Sequence, residues 1–236
     1  MNLLEKFTIM HNSELQTRYI KHVKHALNNA ENKISKISQE IKSMEGMTGE
    51  KTRHFYNNLL SCDDARYLEI GTWKGSSVCS AMYGNDADVI CVDNWLLFNG
   101  PKDEFINNLN KFKGDNRASF VEKDCFEIDI SKLPKINIYM YDGDHKYEDQ
   151  YKALTHFYEC LDNIFIFVVD DWNHDPVREG TRDAIRDLKL NILYEKEIFV
   201  PLDKSKSSMW EQPIARETWW NGMYVAVLQK YLCLGI

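Results

Sequence analysis

The sequence lacks any apolar run long enough to cross a membrane. The stretch Ile164–Val169 is far shorter than the roughly 20 residues of a membrane-spanning helix. The opening residues, MNLLEKFTIMHNSELQ, also lack a basic segment followed by an apolar core, which predicts that no signal peptide is present. We therefore expect a protein with no membrane partner.

The sequence also lacks an excess of positive charge and any close cysteine pair. The formal net charge of −7 is opposite to the basic balance of general nucleic-acid binders, so no nucleic-acid partner is expected. The six cysteines form no C-x-x-C pair, and most lie within apolar patterns. They are typical of buried thiols in a reducing compartment, which favours a cytoplasmic location. The cysteines lie at positions 62, 79, 91, 125, 160 and 233.

The length of 236 residues suits one well-buried domain with a small appendage. Apolar residues recur at steps of three and four between Leu15 and Met44. This spacing predicts one long helix, or two helices broken near Asn28 and Asn29. Its apolar stripe would suit either packing on the main domain or a homodimer contact. We divide the chain into an N-terminal helical extension, residues 1–45, and a main domain, residues 46–236.

The main domain alternates apolar strands with helices, which is typical of an α/β protein with a parallel sheet covered on both faces. Five strands are predicted at Arg66–Gly71, Ala87–Asp93, Ala118–Glu122, Ile136–Tyr141 and Ile164–Asp170. Helices are predicted at Glu50–Leu60, Ser76–Tyr83, Lys102–Phe112, Tyr147–Leu161 and Arg178–Leu188. The last two strands, Ile192–Val200 and Gly222–Gln229, have no predicted helix between them. We therefore expect a mostly parallel seven-stranded sheet that ends in an antiparallel hairpin.

The turn after the first strand is a candidate small-molecule site. It runs from Glu69 through Gly71 and Gly75 to a predicted helix start at Ser76. Glycines allow a ligand to approach the backbone closely, and the helix start offers free N–H groups. The G-x-x-x-G spacing fits neither a dinucleotide pyrophosphate nor a phosphate-binding P-loop. Asp93, after the second strand, is placed to bind a ribose diol. A ribose-bearing ligand without a phosphate at the turn, such as S-adenosylmethionine, fits this pattern.

Acidic residues follow each of the first five predicted strands, and they would meet at one edge of the sheet. Asp142, Asp144, Asp170 and Asp171 come from two strands that we expect to be neighbours. Crowded carboxylates repel one another, and a hard divalent cation such as Mg²⁺ relieves that repulsion. The alternative is that some of these acids cap helices.

His145 lies beside these carboxylates and titrates near neutrality, so it is a candidate base for a hydroxyl proton. Asp144 is the competing base. The stretch Leu202–Asn221 is rich in tryptophan and is predicted to be a long loop. Its tryptophans, Trp210, Trp219 and Trp220, together with Trp172, could form a lid or a stacking surface for a sugar ring, or could pack against the hairpin.

Four segments together resemble class I S-adenosylmethionine-dependent methyltransferases, which implies a Rossmann-like methyltransferase fold. They are Glu69–Ser77, Val89–Asn94, Tyr141–Glu148 and Val168–Trp172. More narrowly, they resemble the metal-dependent O-methyltransferases that act on sugar hydroxyls of macrolide and aminocoumarin antibiotics, the macrocin O-methyltransferase group.

The resemblance implies a role for each matching residue. The cofactor-binding residues would be Glu69, Gly71, Thr72, Gly75, Ser76, Asp93, Asn94, Trp95, Asp124, Cys125 and Asp142. The metal ligands would be Asp142, Asp170 and Asp171, and the base would be His145 or Asp144. The implied cofactors are S-adenosylmethionine and Mg²⁺ or another hard divalent cation.

These patterns predict an S-adenosylmethionine-dependent, Mg²⁺-dependent O-methyltransferase acting on a hydroxyl of a sugar or other small polyol. One alternative is a metal-dependent glycosyltransferase, because Asp142-Gly-Asp144 resembles a D-x-D motif. The glycine turn and the second acidic pair argue against it. The other alternative is a non-catalytic cofactor-binding scaffold, and the intact acids at the strand ends argue against that.

Overall fold

The computed structural model describes residues 3–231, with side chains from residue 12 onward. Seven strands and eight α-helices lie within this range. The strands are β1 (Arg66–Ile70), β2 (Asp88–Asp93), β3 (Arg117–Glu122), β4 (Ile136–Tyr141), β5 (Leu161–Asp170), β6 (Asn191–Ile198) and β7 (Met223–Gln229). The helices are α1 (Leu3–Glu31), α2 (Gln39–Ser43), α3 (Glu50–Leu59), α4 (Ser76–Met82), α5 (Lys102–Phe112), α6 (Tyr147–Phe157), α7 (Asp175–Asp187) and α8 (Pro213–Glu217).

The seven strands form one sheet in the order β3-β2-β1-β4-β5-β7-β6. Strands β1 to β5 pair in parallel, whereas β7 runs antiparallel to both β5 and β6. The prediction of a mostly parallel sheet ending in an antiparallel hairpin is confirmed. The strand order reverses between β1 and β4, so a crevice for ligands opens at the carboxyl ends of these two strands.

Helices cover both faces of the sheet and bury two apolar clusters. One cluster joins α1 to α5 with alternate strand residues such as Tyr67 and Ile138. The other joins α6 and α7 with the intervening residues, such as Leu68 and Tyr139. Because successive side chains of a strand point to opposite faces, β4 and β5 are apolar along most of their length.

The N-terminal stripe packs on the main domain through Tyr19, Val23, Ala26 and Ala30, which lie in the same cluster as the sheet. Of the two predicted alternatives, two helices form instead of one long helix, and the break between them starts after Glu31, slightly later than the predicted position near Asn28 and Asn29. The buried Arg53 donates to the carbonyls of Ile41 (2.8 Å) and Met44 (2.8 Å) and so fastens the chain after α2 to α3. A homodimer contact and the boundary at residue 45 stay predictions.

The tryptophan-rich stretch is not the predicted loop throughout, because α8 forms within it and begins at Pro213, a residue well suited to a first helical turn. Trp219 and Trp220 are buried. Trp172 is also buried and stacks on Tyr224 at 4.4 Å. These three tryptophans therefore pack in the protein interior, whereas Trp210 is 45% exposed.

The cysteines that the structure describes are free thiols. Cys233 lies outside the described residues. No helix within residues 3–231 is both long and apolar enough to span a membrane.

Candidate active site

The turn between β1 and α4 requires glycine at position 71. Gly71 has a φ of +86°, and a Cβ added there would lie 1.8 Å from the carbonyl oxygen of Asp142. Its N–H donates to Val92 (2.9 Å), and the N–H of Asp142 donates to the carbonyl of Ile70 (2.9 Å). The turn is therefore held between the ends of β2 and β4, and only glycine fits because the Asp142 backbone occupies the space that a side chain would take.

Glu69 is fully buried beneath this turn. Its carboxylate accepts hydrogen bonds from the hydroxyls of Tyr67 (2.6 Å) and Ser77 (2.6 Å). Burial disfavours the charged form and raises the pKa of Glu69 to about 7, although both hydrogen bonds act in the opposite direction. Glu69 thus joins β1 to α4 through its buried hydrogen bond with Ser77.

The start of α4 leaves polar groups free for a ligand. Gly75, at φ +86°, precedes the helix and supplies no side-chain cap. The Thr72 hydroxyl is buried and has no hydrogen-bond partner in the described part of the chain. Ser76 is buried, and its hydroxyl pairs with that of Thr48 at 2.9 Å. An unpaired buried hydroxyl beside free helix N–H groups fits the polar methionine end of S-adenosylmethionine.

Asp93 organises the loop after β2. Its two carboxylate oxygens accept from the backbone N–H groups of Trp73 (2.8 Å) and Trp95 (2.7 Å). The Trp95 indole donates to the carbonyl of Trp73 (2.8 Å), so the two loops are joined twice. Asn94 accepts from the N–H of Leu96 (3.1 Å) and shapes the same loop. A carboxylate keeps further lone pairs after two such bonds, so Asp93 can still accept from a ribose diol.

Asp124 and Cys125 follow β3, the strand next to β2. The Asp124 carboxylate accepts from the N–H of Phe126 (2.9 Å) and caps a short 3₁₀ turn at Cys125–Glu127. Burial raises the pKa of the Cys125 thiol to about 12, so it stays protonated at neutral pH. Their place beside an adenine stays a prediction.

Three carboxylates from β4 and β5 converge as predicted. Asp142, Asp170 and Asp171 offer oxygens that lie within 4.8 Å of one another. Desolvation, followed by mutual repulsion, raises the pKa values of Asp142 and Asp170 well above the usual range. Desolvation is also the largest single influence on Asp171 and acts to raise its pKa, but the hydrogen bonds from His145 and Asn221 and the charges of His145 and His174 together outweigh it and lower that pKa.

The converging carboxylates fit a hard divalent cation. Asp170 Oδ1 is buried and has no hydrogen-bond partner among residues 12–231. An unpaired oxygen in a cluster of three carboxylates is costly unless a proton or a cation balances it. Mg²⁺, Mn²⁺ and Ca²⁺ prefer such all-oxygen sets. Asp142, Asp170 and Asp171 would hold the ion.

The two candidate bases have different surroundings. His145 Nε2 lies 2.7 Å from Asp171 Oδ2, and this hydrogen bond raises the pKa of the imidazole. Asp144 instead lies on the surface, where Lys146 Nζ approaches to 2.7 Å and lowers the carboxyl pKa. Asp144 is thereby a weaker base, and it lies outside the cluster of three carboxylates. The geometry favours His145.

Three residues at this site are not among the predicted site residues. Asn221 donates to Asp171 Oδ1 at 2.5 Å. His174 stacks on His145 with ring centroids 5.4 Å apart. Tyr56 is fully buried, and its hydroxyl has no hydrogen-bond partner among residues 12–231; desolvation raises its pKa, and the charges of Asp170 and Asp142 add to this. The sequence alone could indicate His174 as a site residue, because it lies close to the end of β5. Asn221 and Tyr56 are brought to the site only by the tertiary fold.

Comparisons with known proteins show what this region of the chain is similar to. Residues 68–172, from β1 to the end of β5, match a family model described as a methyltransferase domain. No curated protein is similar enough to the chain to count as a match.

Solved structures share the fold. TrmN from Thermus thermophilus has a TM-score of 0.54 at 12% identity, with 81% of this chain and 52% of TrmN covered. A protein from Klebsiella pneumoniae provisionally assigned as an O-methyltransferase has a TM-score of 0.52 at 14% identity, with 88% and 89% covered. Cofactor-bound Rv0187 from MTB has a TM-score of 0.53 at 14% identity, with 90% of each chain covered. The chain thus spans about half the length of TrmN.

The family match covers the strand ends that carry the glycine turn, Asp93 and the acidic cluster, and the shared architecture surrounds them. Together they show that residues 68–172 are similar to a methyltransferase domain and that the chain has a Rossmann-like methyltransferase fold.

Proposed function

We propose that the protein transfers a methyl group from S-adenosylmethionine to a hydroxyl of a sugar or other small polyol, with Mg²⁺ or a similar cation. The observation that carries this proposal is the adjacency of the glycine turn and the carboxylate cluster. Asp142 belongs to both, because its backbone contacts the turn at Ile70 and Gly71 while its carboxylate faces Asp170 and Asp171. Cofactor and cation would therefore lie side by side.

A cation held by Asp142, Asp170 and Asp171 would lower the pKa of an acceptor hydroxyl and orient its oxygen. The protein's own contribution is alignment and a dry site. Asn221 fixes Asp171 through Oδ1, so the carboxylate keeps one orientation. Asp170 is 4% exposed, which limits competition from water.

His145 is the proposed base. When its Nε2–H donates to Asp171, Nδ1 is left free to accept the hydroxyl proton. S-adenosylmethionine, when bound, would supply the methyl carbon to the acceptor oxygen and keep the electron pair of the broken carbon–sulfur bond on its sulfur. The hydroxyl proton passes to His145, and S-adenosylhomocysteine is the second product.

The proposed sugar ring of the acceptor would stack on the indole of Trp210. This indole is 45% exposed, and its ring packs edge-on against Trp220 at 5.2 Å. Asn221, the next residue along the chain, bonds to Asp171. The exposed indole is thus linked to the carboxylate cluster through a short buried segment, which supports a ring-shaped acceptor with apolar faces.

The double variant Asp170→Asn/Asp171→Asn tests the proposal. We expect methyl transfer to fall by at least about 100-fold, because even outer-shell changes at metal sites cost about 10–100-fold. Binding of S-adenosylhomocysteine, measured by calorimetry, should be largely retained. Asp115→Asn is the matched control, since this exposed aspartate lies before β3 at the opposite edge of the sheet. Undiminished turnover in EDTA would contradict the role of the cation.

Neither alternative is favoured by the comparisons. Asp144, the second acid of the D-x-D pattern, pairs with Lys146 rather than with the cluster. A thermal-shift comparison of S-adenosylhomocysteine with a nucleoside diphosphate separates methyl transfer from glycosyl transfer. Tight cofactor binding without turnover on any polyol or catechol would instead support a scaffold.

A further inference from the structure

Two histidines and one aspartate form a second cluster on the outer side of the carboxylates. His145, Asp171 and His174 offer ligand atoms that lie within 4.8 Å of one another. His145 Nε2 lies 2.7 Å from Asp171 Oδ2, and the two imidazoles are nearly parallel, at 19°. His145 follows β4, whereas Asp171 and His174 follow β5, so only the parallel pairing of these strands brings the three together.

The chain holds this cluster in place. Asp171 adopts a φ of +56°, and the N–H of His174 donates to its carbonyl at 3.0 Å. Between them, Asn173 exchanges hydrogen bonds with the backbone of Val200 at 2.8 and 3.1 Å. Asn221 holds the other oxygen of Asp171. Outer-shell bonds of this kind orient metal ligands before an ion arrives.

We infer that His145, Asp171 and His174 form a binding site for a borderline transition-metal ion such as Zn²⁺, separate from the hard-cation site and sharing Asp171 with it. Imidazole nitrogens suit Zn²⁺, Cu²⁺ and related ions, whereas Mg²⁺ and Ca²⁺ prefer oxygen. Both histidines are exposed, so small rotations of the rings bring their nitrogens to an ion. The same exposure leaves coordination positions open to water or a ligand.

This site does not depend on the methyl transfer proposed above. The two proposals are linked only through shared residues. An ion bound here would be coordinated by His145, the proposed base, and by Asp171, a ligand of the hard-cation site. Zn²⁺ at this site therefore excludes His145 from proton transfer.

Copper paramagnetic resonance tests the site without any turnover. Untagged full-length protein, stripped with EDTA, is titrated with Cu²⁺. We expect one ion for each chain with two coupled nitrogens in its spectrum. His174→Gln should remove one nitrogen and weaken Zn²⁺ binding, measured by calorimetry, by more than about 10-fold. His145→Gln should have the same effect, and the double variant should leave oxygen ligands only.

His25→Gln is the control, because His25 is an exposed histidine on α1, and it should leave the spectrum unchanged. A nitrogen signal that survives the double substitution would overturn the proposal, as would an oxygen-only spectrum in the unaltered protein. Failure of methyl transfer with Mg²⁺ would leave the copper result standing, so the two proposals fail separately.

Discussion

Gly71 shows how one residue can fix a site. A methyl group at this position would collide with the Asp142 carbonyl at 1.8 Å, and the φ of +86° is itself unfavourable for any other residue. We expect Gly71→Ala to lower the free energy of unfolding by more than about 4 kcal/mol, because backbone on both sides has no room to move. Urea denaturation followed by circular dichroism measures the change.

Gly114 provides the matched control for Gly71. It also has a positive φ, +51°, but an added Cβ would meet no atom of the described part of the chain within 4 Å. Gly114→Ala should cost only about 1–2 kcal/mol, the conformational penalty alone. Similar losses in the two variants would contradict the close approach between Gly71 and Asp142.

Glu69 makes stability depend on pH. Its pKa is about 7 in the folded chain and about 4.3 when unfolded. Between these values the folded chain holds a proton that the unfolded chain releases, so stability falls as pH rises and levels off above about pH 7. Relative to Glu69→Gln, the unaltered protein should lose about 2–3 kcal/mol between pH 5 and pH 8, at about 1.4 kcal/mol per pH unit.

Urea denaturation of the cofactor-free protein at several pH values gives this difference for Glu69. Glu148→Gln, which changes an exposed glutamate at the start of α6, should keep the pH dependence of the unaltered protein. Equal pH dependence in Glu69→Gln and the unaltered protein would show that the buried carboxyl does not hold a proton near neutrality.

At the scale of elements, α1 tests whether the N-terminal stripe belongs to the core. Val23 is fully buried against the main domain, whereas Ile34, also on the predicted stripe, is 58% exposed. Val23→Ala should cost about 1–3 kcal/mol through lost burial and a residual cavity. Ile34→Ala should stay within about 0.5 kcal/mol. Equally small losses of stability in the two variants would place the stripe outside the core. The predicted homodimer is tested separately, by sedimentation at several protein concentrations.

The elements differ in how well local sequence predicts them. Strands β4 and β5 are buried on both faces, so their apolar runs could be recognised without tertiary information. The turn after α1 could not be located from local sequence, because Asn28 and Asn29 weaken a helix only slightly and α1 is stabilised by packing. Helix α8 has only five residues and depends on contacts around Ala215, which is fully buried.

At the scale of the whole molecule, five strands deliver acids to one edge of the sheet, in a chain of net charge −7. A divalent cation that binds only the folded chain should stabilise it by about 2.7 kcal/mol at 100 times its Kd. For a chain of this size, we expect Mg²⁺ to raise the Tm by about 5–10 °C.

The double variant Asp170→Asn/Asp171→Asn is the comparison for this shift. It should show no Mg²⁺-dependent rise, while S-adenosylhomocysteine should still raise the Tm of both proteins. An equal Mg²⁺ shift in the variant would place the cation elsewhere on the acidic surface.

The sequence by itself determined the strand–helix alternation, the glycine turn and the acids at the strand ends. These follow from local periodicity and from the rule that parallel strands end at one edge of the sheet. The tertiary structure alone decided that Asp144 turns away to Lys146 while His145 reaches Asp171. It also decided that Asn221 and Tyr56 join the site and that Trp172, Trp219 and Trp220 are buried. These contacts join side chains from segments that are far apart in the sequence. The spacing of residues along the chain therefore does not predict them.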